Sequence, residues 1–451
     1  MNTARASITV LAGGKSERSR RGGGGGATHA PAWQDELLRT REGDCRATAG
    51  NLQLILRNDE AVRGLFRFNE FTARVDVVGD VPGPVALPQG PLADAHLAAL
   101  GAWLSSKKTY ALSAKPPLLA EATALAAHEY AFHPVRGYLR SLAWDGTPRI
   151  TTLFADYLGA RGSAYESRVA QILFLSIVAR VFQPGCKVDT VVIFESLEQG
   201  TRKTTLIHEM LRPDWCVDPV ETIGSRDFLM AIRGAAIVEL GELSVLSRAD
   251  FAKIKQAITV QVDTYRDPFA RCVASYPRQC VFVGSTNQDD WNRDPTGARR
   301  FLPVRVSAID LDGYLRVRDQ VWAEAVHLFD ANTDYWTLPE TAAAEVDERF
   351  DDDPWLDPIA YWLAGKCEDK KYPVEIDMRS TADGGGVRRV PAAVLMLHAL
   401  GIETGKHTRA EWSRVVSVMR RLGWRKERVM RNGVRAWEYV RPTEDADVVP
   451  F

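Results

Sequence analysis

Apolar residues in this 451-residue chain gather into short runs separated by polar loops. The clearest series lies in the middle. Ser167–Phe182 reads as an apolar helix stopped by Pro184-Gly185. A buried strand, Thr190–Phe194, is followed by a loop and a helix over Lys203–Leu211. A second strand, Ala235–Leu240, ends in acid and leads to a helix over Arg248–Val260. A third, Gln279–Gly284, runs into Ser285-Thr286-Asn287, and a fourth, Phe301–Val306, follows Arg299-Arg300. Short, continuously apolar strands alternating with helices predict a parallel sheet covered on both faces.

The flanks are patterned differently. Asn51–Leu56 and Leu65–Phe71 alternate in part as strands do, whereas Ala93–Leu104 and Leu118–Tyr130 have helical spacing. Glu340–Trp362 is acidic, helical in part and broken at Pro354, and Ala382–Gly386 reads as a linker. Glu411–Leu422 is amphipathic, and an Asn432-Gly433 turn predicts a hairpin over Val429–Tyr439. The expected organisation is a tail over 1–32, a mostly helical mixed module over 33–150, an α/β core over 151–335, an acidic helical segment and linker over 336–390, and a small basic winged-helix-like module over 391–451.

Composition adds few restrictions. Hydrophobic residues make up 45%, charged residues 25%, and the net charge is −1, as in an ordinary soluble protein. No apolar run reaches the roughly 20 residues that span a bilayer. The six cysteines are scattered without a CxxC pair, which fits reduced thiols in the cytoplasm and not a zinc site. Charge is uneven locally: residues 405–441 hold 11 Lys and Arg against 3 Asp and Glu. The tail, with Gly22–Gly26, is expected to be disordered. Its Gly14-Lys15-Ser16 looks like a phosphate loop but has no helix-forming sequence after the Lys.

The loop after the first core strand carries the candidate chemistry. Gln199, Gly200, Thr201, Arg202, Lys203, Thr204 and Thr205 follow the layout of a P-loop, G-x-x-x-x-G-K-[ST], with Leu197 and Arg202 at its two glycine positions. Lys203 would pair with the β- and γ-phosphates of ATP, and Thr204 would place its hydroxyl on Mg²⁺. Such a site needs an acid on a neighbouring strand, for the Mg²⁺ shell and for polarising water. Glu239 and Glu242 stand there. Asn287 would orient a water. Arg299 or Arg300 would stabilise the transferring phosphoryl group, supplied by a neighbouring subunit.

Several segments together resemble the virulence-associated E family of phages and mobile elements. They are Lys187-Val188-Asp189-Thr190, Gln199-Gly200-x-x-Lys203-Thr204, Val238-Glu239-Leu240-x-Glu242-Leu243, Asp263-x-Tyr265-Arg266-x-Pro268-Phe269, Pro277–Phe282 and Asp294-Pro295-Thr296-Gly297-x-Arg299-Arg300-Phe301. Upstream, Tyr130–Leu139 and Trp144-Asp145-Gly146 fit as well, so the resemblance spans residues 128–306. It implies an AAA+-like P-loop NTPase core similar to superfamily 3 helicases, dependent on ATP and Mg²⁺, and forming a ring, expected to be a hexamer. The implied partner is DNA, single-stranded or forked, alongside phage or host replication proteins. Lys255, Arg266, Arg271 and Arg278 would face nucleic acid or an adjacent nucleotide, and Arg425 and Lys426 would contact DNA from the basic C-terminal module. Residues 33–130 are too short for the primase module of many relatives.

The expected function is therefore a DNA-dependent ATPase, a replicative helicase or loader. Two alternatives stay open. One is a nucleic-acid-binding regulator with a degenerate loop. The other is an ATPase serving defence or virulence.

Overall fold

The computed structural model describes residues 32–219, 222–241, 248–268, 270–288, 300–347, 354–365, 377–379, 386–403, 407–431 and 434–441. The tail with its Gly14-Lys15-Ser16 lies outside them. The chain divides into two compact units. One runs to Phe68 and resumes over Val75–Ala131; the other holds Asn69–Arg74 and everything from Phe132 onward.

In the first unit, α1 (Ala49–Asn58) lies where strand-like alternation was expected. Leu52, Ile55 and Leu56 are buried at helical spacing, and the Thr48 hydroxyl caps the helix by accepting the Asn51 N–H at 3.2 Å. Three short strands, β1 (Phe66–Asn69), β2 (Arg74–Val77) and β3 (Gly90–Pro91), form a sheet in that order. Helices α2 (Asp94–Ser105) and α3 (Pro116–Ala127) share its core through Leu100, Leu104 and Leu119.

The second unit opens with α4 (Pro134–Ser141), α5 (Leu153–Leu158) and α6 (Ala164–Phe182). Ser163 and Glu166 close a reciprocal cap at the start of α6, which is buried along most of its length. Then follow β4 (Val191–Glu195), α7 (Lys203–Glu209), β5 (Cys216–Val217), α8 (Arg226–Ala231), β6 (Ile237–Leu240), α9 (Arg248–Thr259), β7 (Val262–Tyr265), β8 (Ala274–Pro277), β9 (Val281–Thr286), β10 (Phe301–Arg305) and α10 (Leu311–Asp330).

The expected parallel sheet is present, with five strands in the order β10-β4-β9-β6-β5. Alternate residues of each strand feed two separate cores. Val192, Phe194, Ile237, Val281 and Val283 join the core built with α6 and α10. Val191, Ile193, Val238, Leu240 and Phe282 join the core built with α8 and α9. Helices thus cover both faces, which is why these strands are apolar without interruption. The acid was expected on a strand neighbouring the one that feeds the loop, and the strand order differs. β9 is inserted between β4 and β6, so the acid-bearing strand does not adjoin the strand that feeds the loop. β10 forms one edge of the sheet, with Pro303 opposite Ile193, and the two-residue β5 forms the other. Among the described residues, no helix is long and apolar enough to cross a membrane.

Beyond α11 (Ala342–Asp347), part of the segment expected to be acidic, helical and linker takes part in a further core. Ile359, Trp362 and Leu363 of α12 (Leu356–Leu363) pack with Val390, Leu395, Met396, Val415, Val418 and Tyr439. These last residues come from β12 (Gly386–Val390), α13 (Ala392–His398), α14 (Arg409–Arg421) and the hairpin β13 (Arg425–Arg431)–β14 (Val434–Val440). With β11 (Asp377–Arg379) the sheet order is β11-β12-β14-β13. The C-terminal core therefore begins with α12, well before residue 391.

The Arg- and Tyr-rich segment before β9 is an antiparallel hairpin, β7 with β8. Its base is fixed by Arg278, which is only 4% exposed. The Arg278 Nε donates to Asp263 Oδ2 at 2.9 Å, Nη2 reaches the other carboxylate oxygen, and Nη1 reaches the Ala257 carbonyl. Removing one member of a buried ion pair leaves the other charge uncompensated. Asp263→Ala is expected to destabilise the fold by about 3–5 kcal/mol in urea unfolding, far beyond the ~1 kcal/mol of an exposed pair.

Candidate functional site

The site forms at the C-terminal ends of β4, β9 and β6, where the loop over residues 196–202 joins β4 to α7. The loop is tied to the sheet at its start, with the Ser196 N–H donating to the Thr286 carbonyl at 3.2 Å. Gly200 takes φ +77°, and Arg202, the residue before α7, takes φ +64° and ψ +24°. That is the left-handed conformation that glycine adopts without strain and other L-residues adopt at a cost. The backbone at Arg202 thus has the shape that a glycine would give it. The Arg202 side chain is exposed at the rim of the cleft.

Lys203 begins α7 and is 7% exposed. Its Nζ donates to Asn287 Oδ1 at 2.7 Å and to Thr201 Oγ1 at 3.0 Å. Burial lowers its ammonium below the ordinary lysine range. Next to it, Thr204 Oγ1 donates to Glu239 Oε1 at 3.0 Å. Ser285 Oγ donates to the same oxygen at 3.0 Å. The register explains this meeting. Glu239 pairs with Val283, and Ser285, two residues on, points to the same face of the sheet, the face on which α7 lies.

The second oxygen of Glu239, Oε2, is buried and has no hydrogen bond among the described residues. His208 Nε2 is 3.3 Å from it, near enough for an ion pair when the ring is protonated. His208 lies one helical turn beyond Thr204, so α7 presents a group to each carboxylate oxygen. The sequence reading passed over His208 and Ser285. The i, i+4 spacing of Thr204 and His208 was a readable signal for the first.

Thr201, Lys203, Thr204, Glu239, Ser285 and Asn287 line an open cleft of about 1160 Å³ that also takes in Gln199, Gly200, Thr205, Asp218, Thr222, Asp250 and Lys253. The cleft therefore holds a buried cation, a buried carboxylate with an unbonded oxygen, and hydroxyls between them. That combination suits a phosphate chain with a small hard cation. Among the described residues, no cluster of three or more His, Cys, Asp or Glu stands ready to hold a metal alone. An ion here would rely on one carboxylate, a hydroxyl and oxygens of the ligand or water, as Mg²⁺ commonly does.

The other candidates distribute as follows. Arg300 immediately precedes Phe301, which pairs with Val191 at the start of β4. It therefore sits at the end of the sheet opposite to the strand ends that carry the cleft, and those two ends are separated by about 16 Å of strand, five residues at ~3.3 Å each. The structure does not bring Arg300 to this chain's own cleft. Arg299 and Glu242 lie outside the described residues. Lys255 is half-buried on α9, whose Asp250 and Lys253, not Lys255, line the cleft. Arg266 and Arg271 are exposed on the turn between β7 and β8. Arg278 is withdrawn from any surface role by its bonds to Asp263. Arg425 and Lys426 are exposed at the start of β13.

Residues 139–352 match the virulence-associated protein E-like domain family. Among solved structures, the chain is similar to the apo structure of the NrS-1 C-terminal region, at 12% identity and a TM-score of 0.46, covering 83% of this chain and 95% of that one. The A-form apo structure of the same region gives 12% identity and a TM-score of 0.46, with 86% and 98% covered. No curated protein matches.

Because Arg202 holds a left-handed conformation with an exposed side chain, Arg202→Gly is expected to relieve about 1–2 kcal/mol of backbone strain. Part of this is offset by the added freedom of glycine in the unfolded chain. The net expectation is a stabilisation of up to about 1 kcal/mol in urea unfolding. Destabilisation would mean that the Arg202 side chain makes contacts worth more than the strain.

Proposed function

We propose that this chain, whose residues 139–352 match the virulence-associated protein E-like domain family, is a P-loop ATPase that acts on DNA in the replication of a mobile element. One observation carries the reading. A single cleft joins Lys203, hydrogen-bonded to Asn287, with Glu239, hydrogen-bonded to Thr204 and Ser285. The hydrogen bond from Lys203 to Asn287 is one that a phosphate oxygen can replace on the lysine side. Phosphate would then restore the full charge that burial disfavours.

In this reading Thr204 and the free oxygen of Glu239 hold Mg²⁺, directly or through water. The ion supplies charge neutralisation on the phosphates. Glu239 orients and polarises the attacking water, while Asn287 is released from Lys203 to fix that water's position. Ser285 keeps the Glu239 carboxylate turned toward the cleft. Arg300, at the far end of the sheet, would serve the cleft of an adjacent subunit, which calls for a ring. DNA contacts fall to Arg266 and Arg271 on the β7–β8 turn and to the basic hairpin β13–β14. The arrangement of α13, α14 and that hairpin supports a winged-helix-like module.

The second reading, a regulator that binds nucleic acid without hydrolysis, draws on Arg202 and Leu197 at positions usually held by glycine. The glycine-like backbone at Arg202 weighs against it.

ATP hydrolysis with and without single-stranded DNA tests the choice. Lys203→Ala and Glu239→Gln are each expected to lower kcat by about 10²-fold or more. If wild type and both variants share one background rate, the chain is not an ATPase. Arg300→Ala is expected to lower kcat by about 10³-fold or more. Mixing it with Lys203→Ala should restore part of the activity, because an intact cleft then meets an intact arginine across a subunit boundary. If mixing restores nothing although both variants assemble, the arginine does not act between subunits.

A further inference from the structure

The hairpin β13–β14 is anchored at its base in the C-terminal core. Trp424, just before β13, and Tyr439 near the end of β14 are 9% and 3% exposed and belong to the C-terminal core. Two residues from Tyr439 along the same face, Trp437 is 55% exposed. Trp362, in the same module, is 3% exposed. A tryptophan left in water on a strand that anchors its neighbour in the core has apolar surface to give to something else.

The register shows what surrounds it. Arg428 lies directly opposite Trp437, Lys426 opposite Tyr439, and Met430 opposite Arg435. Directly opposed residues share a face, so this face carries Lys426, Arg428, Met430 and the position of Arg435 around the indole and, among the described residues of the hairpin, no acid. The acids Glu427 and Glu438 are opposed to each other on the other face. Lys426 Nζ is 5.3 Å from the Trp437 ring centroid and the Arg428 guanidinium carbon is 5.8 Å from it. Both lie within cation–π distance. Met430 is 66% exposed, so the apolar surface extends beyond the indole.

A flat aromatic surface flanked by two cations, on an acid-free face, fits a ligand with a planar unsaturated ring and an anionic backbone. We propose that Trp437 is a base-stacking platform for single-stranded nucleic acid, with Lys426 and Arg428 holding the phosphates on either side of the stacked nucleotide. In a duplex the bases are stacked on one another and the indole has nothing to cover it. The platform therefore distinguishes strand from duplex, a property that the positive charge alone does not confer. The inference rests on the DNA-binding part of the function proposed above, and is independent of ATP hydrolysis.

The test is fluorescence anisotropy of a labelled oligothymidine and of a duplex of equal length, titrated with the full chain without nucleotide. Wild type should bind the single strand more tightly. Trp437→Ala should weaken single-strand binding about 10-fold or more and leave duplex binding nearly unchanged, while Trp437→Phe retains most of the affinity. Lys426→Ala and Arg428→Ala should each flatten the dependence on salt by about one phosphate contact. Because Trp437 is largely exposed, the variants should melt at the wild-type temperature, which is checked alongside. If Trp437→Ala leaves single-strand affinity intact, or weakens strand and duplex alike, the platform is refuted while DNA binding stands. If wild type binds neither DNA, the DNA-binding reading itself falls. Binding to an acidic protein or an anionic vesicle in place of either DNA would likewise refute the proposal.

Discussion

Glu239 is a carboxylate with 2% of its surface exposed, at the end of a wholly buried strand. A charge in that position is tolerated only if donors surround it. Two arrive from different elements, the Thr204 hydroxyl from α7 and the Ser285 hydroxyl from β9. This requirement fixes where α7 begins relative to the sheet, and so where Lys203 points. The far end of α7 is held independently. The Met210 carbonyl accepts a hydrogen bond from Trp322 Nε1 at 2.8 Å and another from the Tyr314 hydroxyl, both on α10. A seven-residue helix would be marginal alone. Fixed at both ends, it becomes a rigid mount for Lys203, Thr204 and His208.

The middle strand gives the site its breadth. With β9 between β4 and β6, the strand that feeds the loop and the strand that carries the acid are two strand spacings apart, about 10 Å. That gap is filled by the tip of β9, whose Ser285 turns to Glu239 and whose successor Asn287 meets Lys203. A polar bridge therefore crosses the mouth of the cleft. Had β4 and β6 been neighbours, the lysine and the carboxylate could have neutralised each other directly.

Much of this was legible in the residues. The core strands and helices follow from continuous apolar runs and helical spacing, because a sheet covered on both faces leaves no room for polar alternation. Lys203 and Thr204 were nominated from the P-loop layout, Glu239 and Asn287 from their positions at strand ends, and the structure gathers all four. Strand order was not legible, since nothing in the local pattern of β9 records its neighbours. Arg278 was misread because a buried arginine and an exposed one are spelled alike. Its partner Asp263 becomes visible only once β7 and β8 are paired. At Asn51–Leu56 a few alternating residues suggested a strand, and Thr48, the capping residue that settles the matter, lay just outside the run. Arg202 is the converse case. The residue departs from the pattern while its torsion angles keep it, and only φ and ψ could show that.

The sheet has two edges, and neither invites another strand. Pro303 interrupts the row of N–H groups along β10, and β5 is too short to template an extended partner. Copies of this chain crowded during synthesis are therefore denied continuous backbone pairing at either edge of this sheet. Contact at these two edges has to be made by side chains, which can be released and remade, so copies can meet there repeatedly without fusing into a common parallel sheet.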